Sequence, residues 1–312
     1  MAKALANGVQ LHYQQFGQGP HLVMIHGITG NLAIWHLEIV PALLSEFRIT
    51  TYDLRGHGYS EVPPTGYTTA DHATDLKHLL DTLGIPRAHV IGHSFGADIA
   101  LHFAILFPER VDGLVLVEPA IAALLPLRER PDWIGWKYWR DKLALGGVTV
   151  PPDKWYDAEY LVRSSVGLPM LFGFRKGRAR RAAPLVRLME TTTAARDYCE
   201  QAGMTLEKIN AVRHRTLILY GEDSVFLGTY EYLQNHLPHC AGFLMPDSEH
   251  FGPIERPELL LQHVRSFLGS LAPSDRSTNT LGAGISSTPG RPMYEMADTQ
   301  PIPERFGDRK RS

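Results

Sequence analysis

The stretch Ala88-His89-Val90-Ile91-Gly92-His93-Ser94-Phe95-Gly96-Ala97-Asp98-Ile99-Ala100 decides how the rest of the chain is read. Its first half is an apolar run of strand character. From Phe95 onward Ile99, Phe103 and Leu106 recur at helical spacing until Phe107-Pro108, because the residue before a proline leaves the helical region. Between the two lies Gly92-His93-Ser94-Phe95-Gly96, a G-x-S-x-G pentapeptide. A serine at such a strand-to-helix turn is pushed into a strained conformation, and the small residues around it let strand and helix pack closely enough to present its hydroxyl at the sheet's edge. The same turn opens a helix, whose first backbone N–H groups lack partners and can stabilise an anion. The plainer reading, a glycine-bounded turn with an inert serine, is weakened by the strand and helix that flank it.

Working outward, short apolar strands alternate with helical patterns. Before the pentapeptide come a strand at His21–Gly27, a helix at Ala33–Ser45, a strand at Arg48–Leu54 and a helix at Ala70–Leu83. After it come a strand at Gly113–Pro119, then strands at Thr216–Glu222 and Ala241–Pro246 with helices at Tyr230–His236 and Pro257–Leu268. That rhythm predicts an α/β fold with a doubly wound, mostly parallel sheet. The rhythm breaks between Ala120 and Ile209, where the pattern is helical and holds Trp133, Trp136, Trp139, Trp155, Tyr138, Tyr156, Tyr160, Phe172 and Phe174. Residues 1–119 and 210–271 are therefore expected to form one core, with 120–209 inserted into it. From 272 to 312 apolar periodicity is lost and Pro, Gly, Ser and Thr supply 18 of 41 residues, the composition of a disordered tail.

Composition excludes several function classes. With 31 Lys and Arg against 33 Asp and Glu, the net charge of −2 offers no global attraction to nucleic acid or an anionic membrane. No stretch approaches the ~18–20 apolar residues of a membrane span, and the residues before Asn7-Gly8 fall short of a signal peptide, so a cytoplasmic setting is expected. Cys199 and Cys240 show no metal or redox spacing. His89 and His93 straddle strand and turn with no further ligand pattern, and neither a phosphate loop nor a dinucleotide fingerprint is present, so no metal and no cofactor is expected.

Three further motifs join the pentapeptide in order: His26-Gly27-Ile28-Thr29-Gly30, Tyr52-Asp53-Leu54-Arg55-Gly56-His57-Gly58-Tyr59-Ser60, and Glu249-His250-Phe251-Gly252-Pro253 followed by Glu255-Arg256-Pro257-Glu258. With these four in register, the chain from about Leu11 to Leu271 resembles the α/β-hydrolase superfamily. The resemblance implies the α/β-hydrolase fold with a helical cap, or lid, at 120–209 and a serine hydrolase's acyl-transfer chemistry. Ser94 would be the nucleophile, which needs a base because a neutral hydroxyl is a poor one. His250 would be that base, the histidine after the last strand where the order Ser, acid, His places it. Backbone N–H groups of Phe95 and of Ile28, beside Gly27, would hold the oxyanion. His26, His57 and His93 would be structural, as would Asp53 and Asp98. An epoxide hydrolase or haloalkane dehalogenase would carry Asp at 94.

The acid departs from the pattern. In most of the superfamily it stands three residues past the glycine ending the seventh strand, and Gly221-Glu222-Asp223-Ser224 puts a serine there. Two carboxylates compete: Asp223, one residue early, and Glu118 in Leu116-Val117-Glu118-Pro119, after the sixth strand, from which some members take their acid. Glu118 is preferred, its extra methylene helping it span the distance.

The expected activity is cleavage of a small-molecule carboxylic ester or lactone, apolar or weakly charged, with carbon–carbon bond hydrolysis of a dienoic diketo acid as the runner-up. A ligand-binding protein that kept the fold and lost turnover is the rival from another class. Clustered aromatic residues of the cap suit an apolar pocket as well as the cap's own core. The basic run Arg175-Lys176-Gly177-Arg178-Ala179-Arg180-Arg181 reads first as a solvated face, and second as a site attracting acidic substrates or a membrane surface.

Overall fold

The apolar runs become eight strands: β1 (Lys3–Ala6), β2 (Val9–Phe16), β3 (His21–Ile25), β4 (Arg48–Tyr52), β5 (Ala88–His93), β6 (Val111–Val117), β7 (Thr216–Gly221) and β8 (Cys240–Met245). The computed structural model describes residues 1–127, 134–166 and 179–271. In space the strands follow the order β1-β2-β4-β3-β5-β6-β7-β8. Neighbours from β4 to β8 run parallel, and β2 is antiparallel to both β1 and β4. The expected α/β class and mostly parallel, doubly wound sheet are thus present.

Side chains alternate across a strand, and in the central strands β3, β5, β6 and β7 both faces are buried, which is why these read as largely apolar runs. Val23 and Ile25 of β3, Leu114 and Leu116 of β6, and Ile218 and Tyr220 of β7 pack on one side, with Leu76, Leu79, Ile99 and Phe103 from the helices Thr69–Thr82 and Phe95–Leu106. Their neighbours Leu22, Met24, Val115, Val117, Leu217 and Leu219 pack on the other, with Trp35, Leu43, Leu260 and Val264. Thr68 starts the Thr69–Thr82 helix through a capping box with Asp71.

Two features differ from the sequence expectation. The hairpin β1–β2 lies outside the expected strands, although Asn7-Gly8 is a strong hairpin signal; both residues take positive φ, 49° and 76°. The helix expected over Ala33–Ser45 is two short pieces, Ala33–His36 and Ile39–Leu43. Pro41 has no N–H and its ring would meet the carbonyl of Leu37, so the chain breaks at Glu38 (φ −134°).

Between β6 and β7 the described residues contain helices, among them Ile134–Leu145, Ala158–Ser165, Ala179–Thr191 and Leu206–Asn210, and no strand. Met1–Ala272 forms one compact unit. The tail expected over 272–312 lies outside the described residues, as do Trp133, Phe172, Phe174 and the side chains of the basic run. Among the described residues no helix is long and apolar enough to cross a membrane.

The sheet order positions the site. From β3 the chain first moves outward to β4, then returns to β5 on the other side and continues to β8. Carboxyl ends of β3 and β5 therefore flank a topological switch point, where α/β proteins form a crevice. Gly27 follows the first of these strands and Ser94 the second.

Candidate active site

Ser94 adopts φ 55°, ψ −128°, a conformation costly for a residue with a side chain. Close packing enforces it. A Cβ at Gly92 would fall 2.1 Å from the Gly96 carbonyl oxygen, and one at Gly96 would fall 2.3 Å from that of Ile25, so only glycine fits on either side. The hydroxyl makes no cap to its own helix and is left to meet a partner from elsewhere.

That partner is His250, whose Nε2 accepts from Ser94 Oγ at 2.9 Å. On the far side of the ring, Nδ1 faces Glu118 Oε2 at 3.3 Å. Glu118 is fully buried, 0% exposed, at positive φ just past β6. Ser224 Oγ donates to its Oε2 at 2.6 Å and the Gly221 N–H donates to its Oε1. Burial pushes the Glu118 carboxyl above its ordinary value, while the donors from His250, Ser224 and Gly221 pull it back. Asp98, from the turn after Ser94, accepts from the Ala120 N–H (3.0 Å) and the Ile121 N–H (3.2 Å), anchoring the chain that follows Glu118.

The structure therefore brings Ser94, His250 and Glu118 together. Asp223 lies on the cavity wall; its N–H donates to Ser248 O at 3.0 Å, and the carboxylate that meets His250 belongs to Glu118. Ser224, which occupies the position where the resemblance would put an acid, instead donates to the Glu118 carboxylate. Its role was not read from sequence, and the serine standing where an acid was expected was the available signal.

Gly27 abuts Ser94: a Cβ there would lie 3.0 Å from Ser94 Cβ and 3.4 Å from its Oγ. Neither the Ile28 nor the Phe95 N–H is spent on a backbone hydrogen bond among the described residues. The loop holding Ile28 is tied to the one after β4. His57 Nε2 donates to Ile28 O (2.6 Å), His26 Nε2 accepts from the Leu54 N–H (3.1 Å), and Asp53 accepts from the Leu32 N–H (2.9 Å) and from His12 Nδ1 (2.7 Å). Burial drives the His26 imidazole down to about 3, so it is a neutral brace at physiological pH, and also lowers that of His57, whose two ring nitrogens face Ile28 O and Arg55 O. His93, buried and also near His250, is lowered to about 3, and its Nε2 donates to His250 O at 2.8 Å, fixing the loop that carries His250.

Above these residues lies a cavity of about 1660 Å³. Its inserted-segment wall includes Tyr138, Trp139, Val162, Val166, Leu185 and Leu188. Trp136 instead packs inward with Leu143, Val150 and Leu161, and Trp155 and Tyr156 are partly exposed. The inserted segment is pinned to the His250 loop at Glu249, which accepts from Tyr138 Oη (2.7 Å) and Lys142 Nζ (2.9 Å). Burial opposes ionisation there, but these two donors hold the Glu249 carboxyl below its ordinary value. Cys199 and Cys240 are free, and burial raises both thiols to about 12. Among the described residues no cluster of three His, Cys, Asp or Glu is arranged to hold a metal ion.

A family model described as alpha/beta hydrolase fold matches residues 20–257. Among curated proteins, the chain is similar to a soluble epoxide hydrolase of Corynebacterium sp. (strain C12), 36% identical over 116 residues, covering 37% of this chain and 40% of the relative. The chain spans only 32% to 41% of the length of such curated relatives. Among solved structures, the enol-lactonase from Burkholderia xenovorans LB400 aligns with a TM-score of 0.63 at 23% identity, covering 86% of this chain and 100% of the other. A meta-cleavage product hydrolase from Pseudomonas fluorescens IP01 gives 0.60 at 20% identity, covering 86% and 98%. Identities this low speak for the shared fold alone.

Proposed function

The chain belongs to the α/β-hydrolase family, and from that premise we propose that it is a cofactor-independent serine hydrolase cleaving a carboxylic ester or lactone through an acyl-enzyme. One observation carries the reading: a strained Ser94 whose Oγ lies 2.9 Å from His250 Nε2, with buried Glu118 behind the ring. Ser94 Oγ attacks the acyl carbon as its proton passes to His250 Nε2. The Ile28 and Phe95 N–H groups receive the oxyanion, a donor pair of which each member is worth about 3–4 kcal/mol of barrier. His250 then protonates the departing oxygen, and the acyl group stays on Ser94 as an ester. Water attacks that ester, giving its proton to His250, which passes it to Ser94 Oγ as the acid leaves and so restores the free serine. Glu118 orients the imidazole and stabilises the imidazolium in each step.

The nucleophile's identity separates this reading from epoxide opening. Attack by a serine oxygen on an epoxide carbon would leave an ether that water does not cleave, whereas attack on an acyl carbon leaves a hydrolysable ester. The inserted segment, 120–209, acts as the cap over the cavity, a role supported by the placement of Tyr138, Val162 and Leu188 on its wall. Relative kcat/KM over p-nitrophenyl esters, lactones and a dienoic diketo acid tests the proposal. Esters or lactones are expected to dominate and Ser94→Ala to abolish their turnover. Dominance of the diketo acid would make the protein a carbon–carbon hydrolase, and absence of all turnover would favour a ligand-binding protein.

A further inference from the structure

Three large apolar side chains stand half exposed on the rim of the Ser94 cavity: Leu37 at 54%, Tyr59 at 59% and Val62 at 53%. Exposed apolar residues scattered singly need no explanation, but several converging on one cavity mark a binding surface. They come from the segments after β3 and β4, and so from one side of Ser94. His250 and Glu118 come from the other side, after β8 and β6. Because His250 must deliver a proton to the departing oxygen, the leaving group lies on the β6–β8 side. The acyl substituent then exits toward β3 and β4, across these three residues.

The cavity's size and charge agree with an extended apolar occupant. Its volume of about 1660 Å³ exceeds the ~300–1,000 Å³ common for small-molecule sites. Among the described lining residues the one Lys or Arg is Arg187, and of the three Asp and Glu carboxylates those of Asp98 and Glu249 are already held by N–H and O–H donors of the protein, leaving Asp223 to add negative charge. No cluster of cations on the described wall would recognise a strongly acidic acyl group.

Resting on the serine-hydrolase reading, we propose that Leu37, Tyr59 and Val62 form an open shelf for a medium- or long-chain fatty acyl group, making esters of unbranched aliphatic acids the preferred substrates. A fully buried methylene contributes about 0.8 kcal/mol, or roughly fourfold. On a shelf that covers about half of the chain, roughly twofold per methylene is expected, so kcat/KM rises on the order of 100-fold from acetyl to decanoyl. The test measures p-nitrophenyl acetate, hexanoate and decanoate below their aggregation limits with the full chain and with the double variant Leu37→Asp/Val62→Asp. The wild type is expected to show the rise, and the variant to lose at least about tenfold of the decanoate-to-acetate ratio, the worth of roughly three to four methylenes at that twofold step. A flat chain-length profile in an enzyme that hydrolyses acetate overturns the shelf and leaves the serine-hydrolase reading standing, as does a ratio that survives the double substitution. Failure to turn over any ester, with Ser94 inert to a fluorophosphonate, overturns both.

Discussion

Replacing Ser224 by alanine isolates the feature in which this site departs from its family's pattern. The substitution removes the hydroxyl that donates to Glu118 Oε2 at 2.6 Å and leaves the carboxylate with the Gly221 N–H and His250. A hydrogen bond to an ionised group is worth about 1.5–3 kcal/mol. With Glu118 fully buried, water does not replace the lost donor. Losing it makes the buried carboxylate more basic, so Glu118 stays protonated to higher pH and the acid limb of the pH–rate profile moves upward. At neutral pH, kcat for a p-nitrophenyl ester is expected to fall about 10- to 100-fold, the kinetic equivalent of that energy, with recovery toward wild type at alkaline pH. Stability follows the same sign. Burial already raises the carboxyl above its unfolded value, so stability declines as pH rises between the unfolded and folded values, and the substitution extends that window upward. Ser224→Thr, which keeps a hydroxyl, is expected to restore part of the rate. An unchanged kcat and an unshifted acid limb in Ser224→Ala, or a loss confined to KM, would refute the reasoning.

Other substitutions probe the same geometry. Glu118→Gln is expected to lower kcat by up to ~10⁴, the loss seen when a triad acid becomes an amide, while Asp223→Asn stays within a few-fold; the reverse order in one ester assay would transfer the acid's role to Asp223. Gly92→Ala sets a methyl group 2.1 Å from the Gly96 carbonyl oxygen, and denaturant unfolding should show a loss of about 3 kcal/mol or more, or no folded protein at all. His57→Ala removes the donor to Ile28 O (2.6 Å) and should lower kcat by about tenfold through a displaced Ile28 loop, with little change in KM.

Which parts of this site were legible in the sequence depends on how far apart the deciding groups lie. The turn at Ser94 is contiguous, and strand, glycines and helix all state the same geometry within a dozen residues. His250 is distant in the chain, but its place after the last strand follows from the topology. The acid was open because the question is where a side chain points after a residue of positive φ, and periodicity carries no such information; Glu118 (φ 56°) and Ile121 (φ 54°) set that direction together with the Asp98 carboxylate. Ser224 and His57 act across loops, through single hydrogen bonds that leave no periodic trace. Pro41, in contrast, was visible and should have divided the expected helix. The near-neutral charge of the whole chain also hid the local choice at the cavity, where hydrocarbon from Leu37, Tyr59 and Val62 meets the rim.

The central claim is that Ser94 is an activated nucleophile driven by His250 and Glu118. Labelling with a fluorophosphonate, read by mass spectrometry of the peptide bearing Ser94, tests it most directly. The account predicts rapid, stoichiometric phosphonylation at Ser94, abolished in Ser94→Ala and slowed by orders of magnitude in His250→Ala. Folded wild-type protein that remains unlabelled, or that is labelled equally well without His250, would contradict it.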